Sequence, residues 1–81
     1  MTTFTFSQAY DLVMDIIEGA DNPLADNPSY AMRALGILEE QGSDDDQELV
    51  VQAFRKAPGL LNYDYAGNWV GGVANENGWV A

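Results

Sequence analysis

The side chains best suited to chemistry in this 81-residue sequence are carboxylates, and their densest run is GSDDDQELV at residues 42–50. Three consecutive aspartates lie there, with Glu39 and Glu40 shortly before them and Glu48 shortly after. Such a run can cap a helix, bind a metal ion or form a negatively charged surface. The spacing of the carboxylates and the residues around them bear on each of these roles.

The spacing does not match a metal site. A calcium loop of the EF-hand type needs alternating Asp or Asn residues, then a glycine, and a glutamate at its twelfth position. Here the aspartates are contiguous, and side chains of consecutive helical residues point in different directions. The sequence has no histidine and no cysteine, which are the usual ligands of zinc and of softer metals. We therefore expect neither a metal ion nor another cofactor.

The same residue inventory argues against an enzyme. Nucleophilic catalysis usually places Ser, Cys or Thr beside a base, most often histidine. A pair of carboxylates can perform acid–base chemistry, but it needs a cleft that a few short helices rarely provide. The stretch GNWVGG lacks the spacing and the lysine of a phosphate-binding loop. We expect no catalytic activity.

Capping of a helix is a sufficient explanation of the aspartate run. Ser43 can cap a third helix over about residues 44–57, so that the aspartates fall in its first turn. The helix dipole favours anions there, and it favours Arg55 and Lys56 in the last turn. The Pro-Gly pair that follows is expected to end this helix.

Two earlier helices are predicted from apolar residues at helical spacing. The first covers about residues 7–20; Ser7 or Thr5 can cap it, and Gly19 can end it. Residues 21–28, DNPLADNP, are predicted to form a loop.

The second helix follows that loop. Asn27 is read as its N-cap and Pro28 as its first residue. Gly42 is predicted to end it, and Gly36 in its interior indicates a close crossing with another helix.

The C-terminal stretch, residues 60–81, is rich in aromatic residues and has two interpretations. One is a short helix from about Tyr63 to Val73; the other is a β-hairpin that turns at NENG. We favour the helix, followed by a turn and a strand-like segment that pairs with residues 2–6. The aromatic side chains close the core or, alternatively, form a docking patch. The expected fold is mainly α, possibly α+β: one domain over residues 1–81, with three helices and this closing segment.

The charge is the most unusual property of the chain. Thirteen acidic and three basic residues give a net charge of −10, which repels nucleic acid and anionic lipid and attracts basic proteins. We see no signal peptide and no stretch of roughly 20 apolar residues that could span a membrane. With no cysteine, the composition fits a reducing bacterial cytoplasm.

Several of the acids occupy positions that helix stability alone would not select. Asp11, Asp15 and Glu18 recur at i, i+4 and i+7 opposite the apolar side of the first helix, where like charges are mildly destabilising. Glu39 and Glu40 lie near a helix C-terminus, where the dipole disfavours anions. This pattern favours a surface that must be negative, such as one that imitates nucleic acid. Two alternatives stay open: a protein-interaction module without mimicry, and acidity that serves solubility only.

The stretch NYDYAGNWVGGVANENGWVA, residues 62–81, resembles the end of ArdA-type antirestriction domains, where an aspartate-tyrosine pair precedes a short helix and a terminal aromatic strand. Asp64-Tyr65 and Trp79-Val80 are the matching residues, whereas the glycines depart from that pattern. In size, acidity and lack of cysteine the chain is also similar to anti-CRISPR proteins, a second group of anti-defence inhibitors from phages and mobile elements. The resemblance implies a protein partner, either a CRISPR effector subunit or a restriction enzyme.

The predicted partner is accordingly a basic, nucleic-acid-binding protein, with no direct contact to nucleic acid or membrane. Its lysines and arginines would meet carboxylates of the first helix and of the junction between the second and third helices. These residues are Asp11, Asp15, Glu18, Glu39, Glu40, Asp44, Asp45, Asp46 and Glu48.

Overall fold

Three helices in mutual contact form the frame of the molecule. The structure is a computed structural model that describes residues 4–69. Helix α1 spans Phe6–Glu18, α2 spans Pro28–Gln41 and α3 spans Asp44–Lys56; a short 3-10 helix follows at Pro58–Asn62. Each α-helix packs against the other two. The predicted, mainly α fold with three helices is confirmed.

Reciprocal hydrogen bonds fix the start of α1. The Thr5 hydroxyl accepts from the Gln8 backbone N–H at 3.2 Å, and the Gln8 side-chain oxygen accepts from the Thr5 N–H at 3.0 Å. This is a capping box, so Thr5 rather than Ser7 is the cap. Gly19 ends the helix with φ of +71°, a left-handed conformation that glycine adopts without steric cost.

Helix α2 begins as the sequence predicts, but the role of its internal glycine is different. Asn27 caps the helix by accepting from the Ser29 N–H at 3.0 Å, and Pro28 is its first residue. The prediction that Gly36 marks a helix crossing is wrong. A Cβ atom at Gly36 would lie 3.0 Å from Cβ of Tyr65, so this glycine makes room for the segment that follows the 3-10 helix.

Helix α3 begins after Ser43, as predicted, and ends one residue earlier than expected, at Lys56. The carboxylate of Asp46 accepts from the Ser43 backbone N–H at 2.9 Å and lies 3.2 Å from the Ser43 hydroxyl. One aspartate of the run therefore satisfies the backbone at the helix start, where the N–H groups have no partner inside the helix.

Residues 63–69 form a tight turn instead of the predicted helix from Tyr63. An antiparallel bridge joins Tyr63 to Trp69 and closes the turn. The carboxylate of Asp64 accepts from the backbone N–H groups of Ala66 and Asn68, each at 2.9 Å. These local bonds compete with helix formation, and Gly67 completes the turn with φ of +80°. The rest of the predicted helix, the NENG turn and the terminal segment lie outside the described residues; of residues 2–6, Phe6 belongs to α1.

The core is entirely apolar within residues 4–69, where no polar or charged side chain is buried. Phe54 of α3 lies at its centre, and the ring of Tyr65 packs on it with a centroid distance of 6.4 Å. The largest fully buried side chains are those of Phe54, Met32, Leu35, Leu38 and Val13. No helix of the described part is long and apolar enough to cross a membrane.

Candidate functional site

The nine predicted partner-binding carboxylates all lie on the three α-helices, and the structure places six of them at the exposed surface. The remaining three are half-buried. The exposed residues are Asp11, Glu18, Glu40, Asp44, Asp45 and Glu48, and the half-buried ones are Asp15, Glu39 and Asp46.

Each half-buried carboxylate has a partner within the protein. Asp15 accepts from the side-chain amide of Asn22 at 2.8 Å, which ties the loop after α1 back onto that helix. Asp46 caps α3 as described above. Glu39 is hydrogen-bonded to the Tyr65 hydroxyl. These residues contribute negative charge to the surface, but each also has a structural role that sequence patterns did not reveal.

Tyr65 is an ionisable side chain that is half-buried against the core. Burial raises the pKa of its hydroxyl well above the usual value, and the hydrogen bond and charge of Glu39 raise this pKa further. Both effects disfavour a phenolate beside a carboxylate. Tyr65 therefore donates to Glu39 over the whole physiological pH range.

The carboxyl group of Asp64, in contrast, has a lowered pKa. The backbone N–H of Asn68 is the main cause that lowers the pKa of this carboxyl group below 3.8, with support from the N–H groups of Ala66 and Gly67. Hydrogen bonds to a carboxylate stabilise its charged form. Asp64 is thus an anion that organises the turn at neutral pH, and its negative charge has a structural purpose.

The acids fall into two regions. The α2–α3 junction carries Glu39, Glu40, residues 44–46 and Glu48, because only two residues separate these helices and the Asp46 carboxylate lies against Gly42. The other region is on α1. Glu18 lies at the end of that helix, whereas Asp11 and Asp15 border a groove.

This groove, which we call the α1 groove, has a volume of about 240 Å³. Its walls come from the segment before α1, from α1 itself and from the loop after it. Leu24 remains 43% exposed at the rim, which is high for an apolar residue in contact with a folded domain. The lining residues are Phe4, Gln8, Asp11, Leu12, Asp15, Asn22 and Leu24.

Sequence reasoning missed the α1 groove because the loop that builds it is read only as a break between helices. Two signals were nevertheless available. Leu24 is an isolated large apolar residue within DNPLADNP, and Asn22 follows Asp15 by seven residues.

Trp69 is the most exposed large apolar residue of the described part, at 66%. Its ring packs edge-on against Tyr63, with centroids 5.5 Å apart. Of the aromatic residues predicted to close the core, Tyr65 does so, whereas Trp69 lies on the surface.

The chemistry available to these carboxylates is the recognition of cations. Within residues 4–69 no three acidic side chains come close enough to hold a metal ion. The chain matches no protein-family model, and comparison with curated proteins and with solved structures also finds no match.

Proposed function

We propose that this protein is an inhibitor that binds a basic, nucleic-acid-binding defence protein of bacteria and occupies its DNA or RNA site. The partner would be a CRISPR effector or a restriction enzyme, met in the bacterial cytoplasm. The observation that carries the proposal is the display of six exposed carboxylates on three packed helices in a chain of net charge −10.

The physical basis of the proposal is charge density on a rigid support. Duplex DNA presents one negative charge per about 1.7 Å of its axis, and successive turns of an α-helix place side chains about 5.4 Å apart along each helix. Three packed helices that each carry acids present more negative charge per unit of surface than one helix alone. A partner whose lysines and arginines are already arranged for phosphates then meets carboxylates at no cost in rearrangement.

The helix caps support the same interpretation. A mimic must hold its charges in fixed positions, because ordering mobile groups during binding lowers affinity. Thr5, Asn27 and Asp46 fix the starts of the three helices, so the carboxylates stand on defined backbone.

The α1 groove favours a second candidate, a protein-interaction module that binds a basic protein without blocking nucleic acid. A groove with apolar walls beside two carboxylates has no counterpart on the phosphate backbone of a nucleic acid. Such a groove suits a side chain of a partner protein. The two functions differ in one measurable respect: only a mimic competes with nucleic acid for its partner.

Affinity capture from a bacterial lysate that contains CRISPR effectors and restriction enzymes tests the proposal, with and without added duplex DNA or RNA. We expect a basic nucleic-acid-binding protein to be retained and then displaced by the nucleic acid. Retention of such a protein despite excess nucleic acid would favour the interaction module. Capture of no basic protein at low salt would overturn both.

Paired variants separate a required acidic surface from acidity in general. D11N/E18Q removes two exposed charges from α1, and D21N/D26N removes two exposed charges from the loop that follows. We expect the first pair to weaken binding to the captured partner by about tenfold or more, since a lost charged hydrogen bond costs about 1.5–3 kcal/mol. The second pair should change the affinity for the captured partner by less than about twofold. Equal effects of the two pairs would contradict a specific α1 surface.

A further inference from the structure

We propose that the α1 groove binds an arginine side chain of the partner protein, with an apolar neighbour of that arginine resting on Leu24. This inference rests on the proposed function only in requiring a basic protein as the partner, which the second candidate function also requires, and it adds the residue type that this partner must present.

The size of the groove points to a single side chain as its occupant. Pockets that enclose a drug-sized molecule have volumes of about 300–1,000 Å³, whereas the α1 groove has about 240 Å³ and opens to the surface. It therefore admits an extended side chain that projects from a protein surface.

The charges of the groove require that side chain to be a cation. Asp11 is exposed, and Asp15 lies one helical turn further along α1. The hydrogen bond from Asn22 engages Oδ2 of Asp15 and fixes this carboxylate in the wall of the groove. The planar, forked guanidinium group presents five N–H donors, which suits two carboxylates one turn apart.

The apolar walls favour arginine over lysine. Phe4 stands at one side, held edge-on against Tyr30 with a centroid distance of 6.0 Å, and Leu12 and Leu24 complete the walls. A guanidinium group is weakly hydrated and stacks on aromatic rings, whereas an ammonium group is compact and strongly hydrated. The exposed Leu24 offers apolar area to the residue beside the arginine.

Binding of N-acetyl-arginine amide, followed by backbone amide chemical shifts in NMR, tests the groove without a known partner. We expect the largest shift changes at Asp11, Leu12, Asp15 and Leu24. N-acetyl-lysine amide should bind more weakly, and the neutral citrulline analogue should not shift these signals. Changes centred on the α2–α3 junction, or equal responses to arginine and citrulline, would overturn the proposal.

Two variants and a control distinguish the groove from general acidity. D11N should lower the affinity for N-acetyl-arginine amide by about tenfold. L24A should lower the affinity for a second probe, N-acetyl-leucyl-arginine amide, several-fold relative to wild type. Both altered side chains lie at the surface, so the amide spectrum should retain the pattern of the folded protein. E40Q/D45N removes two charges from the α2–α3 junction. The affinities of this variant for both probes should stay within about twofold of the wild-type values. If L24A bound the second probe as tightly as wild type does, an apolar contribution of Leu24 to binding would be contradicted.

The two proposals fail in different ways. If capture yields a partner that duplex DNA displaces but the probe does not shift the groove signals, the arginine site is wrong and the proposed function stands. If the probe binds in the groove but no basic nucleic-acid-binding protein is captured, the proposed function is wrong and the groove remains an arginine site.

Discussion

Tyr65 connects the turn at residues 63–69, here called the closing turn, to the α-helices. Its ring packs on Phe54 of α3, its Cβ atom fills the space left by Gly36 of α2, and its hydroxyl is bonded to Glu39. One residue thereby joins an element outside the α-helices to the centre of the core and to the acidic junction.

The first prediction concerns this tyrosine at alkaline pH. Its pKa is raised in the folded state from an unfolded value near 10.0, so above pH 10 the unfolded chain releases a proton that the folded chain retains. The free energy of unfolding therefore falls as pH rises above 10. Urea denaturation at pH 8 and pH 11 should show this loss in wild type and a smaller loss in Y65F. Y63F, which removes a hydroxyl from the same turn and leaves the hydrogen bond between Tyr65 and Glu39 in place, is the control and should keep the part of the loss that comes from Tyr65.

The second prediction compares two glycines. Alanine at Gly67 would be strained because φ is +80°, and its Cβ atom would collide with the Cα atom of Ser29. Alanine at Gly59 would meet nothing within 4 Å and needs no unusual φ. We expect G67A to lower the free energy of unfolding by about 2 kcal/mol or more and G59A to change it by less than about 0.5 kcal/mol. Urea denaturation measures both, and similar values would contradict the packing of this turn on α2.

At the scale of elements, the helices were predictable and the closing turn was not. Periodic apolar residues and the signals at Asn27, Pro28 and Gly19 define helices because they depend only on local backbone chemistry. Tyr65 and Trp69 stand four residues apart, as on one side of a helix, yet one packs inward and the other lies at the surface. The hydrogen bonds of Asp64 decide this local structure, and a search for apolar periodicity does not register them.

The third prediction belongs to the start of α3. Because Asp46 accepts from the Ser43 N–H, D46A should lower the free energy of unfolding by about 1 kcal/mol for the lost capping hydrogen bond, in addition to about 0.3–1 kcal/mol for the lost charge near the helix N-terminus. D45A removes the same charge from the same turn, but Asp45 is exposed, so it should cost only about 0.3–1 kcal/mol through the dipole. Thermal denaturation followed by circular dichroism compares the two. If D45A lost more stability than D46A, the aspartates would stabilise α3 through the helix dipole and not through the capping hydrogen bond of Asp46.

The whole molecule combines an apolar core with a surface of strong negative charge. Its net charge of −10 and the positions of the acids on the helices could be predicted from sequence. The α1 groove could not, because it forms only when the loop after α1 folds back and Asn22 reaches Asp15. The candidate site was therefore predictable in its charge and not in its shape.

The fourth prediction concerns salt. Repulsion among excess carboxylates opposes the compact state, and the screening length falls from about 30 Å at 0.01 M salt to about 10 Å at 0.1 M. We expect the urea midpoint to rise when sodium chloride increases across that range. A midpoint that falls with salt would mean that favourable ion pairs outweigh the repulsion. Chloride is the appropriate anion, since sulfate stabilises proteins by exclusion from their surface.

The absence of buried polar side chains from the core of residues 4–69 has a consequence for how such a protein can evolve. Apart from Asp15, Glu39 and Asp46, the carboxylates that would meet a partner make no bond that holds the described fold together. Surface substitutions can then accumulate without loss of the fold, so a lineage can follow a partner whose binding surface keeps changing. The same separation makes the domain a suitable scaffold for display libraries in which the outer positions of α1 and of the α2–α3 junction are randomised.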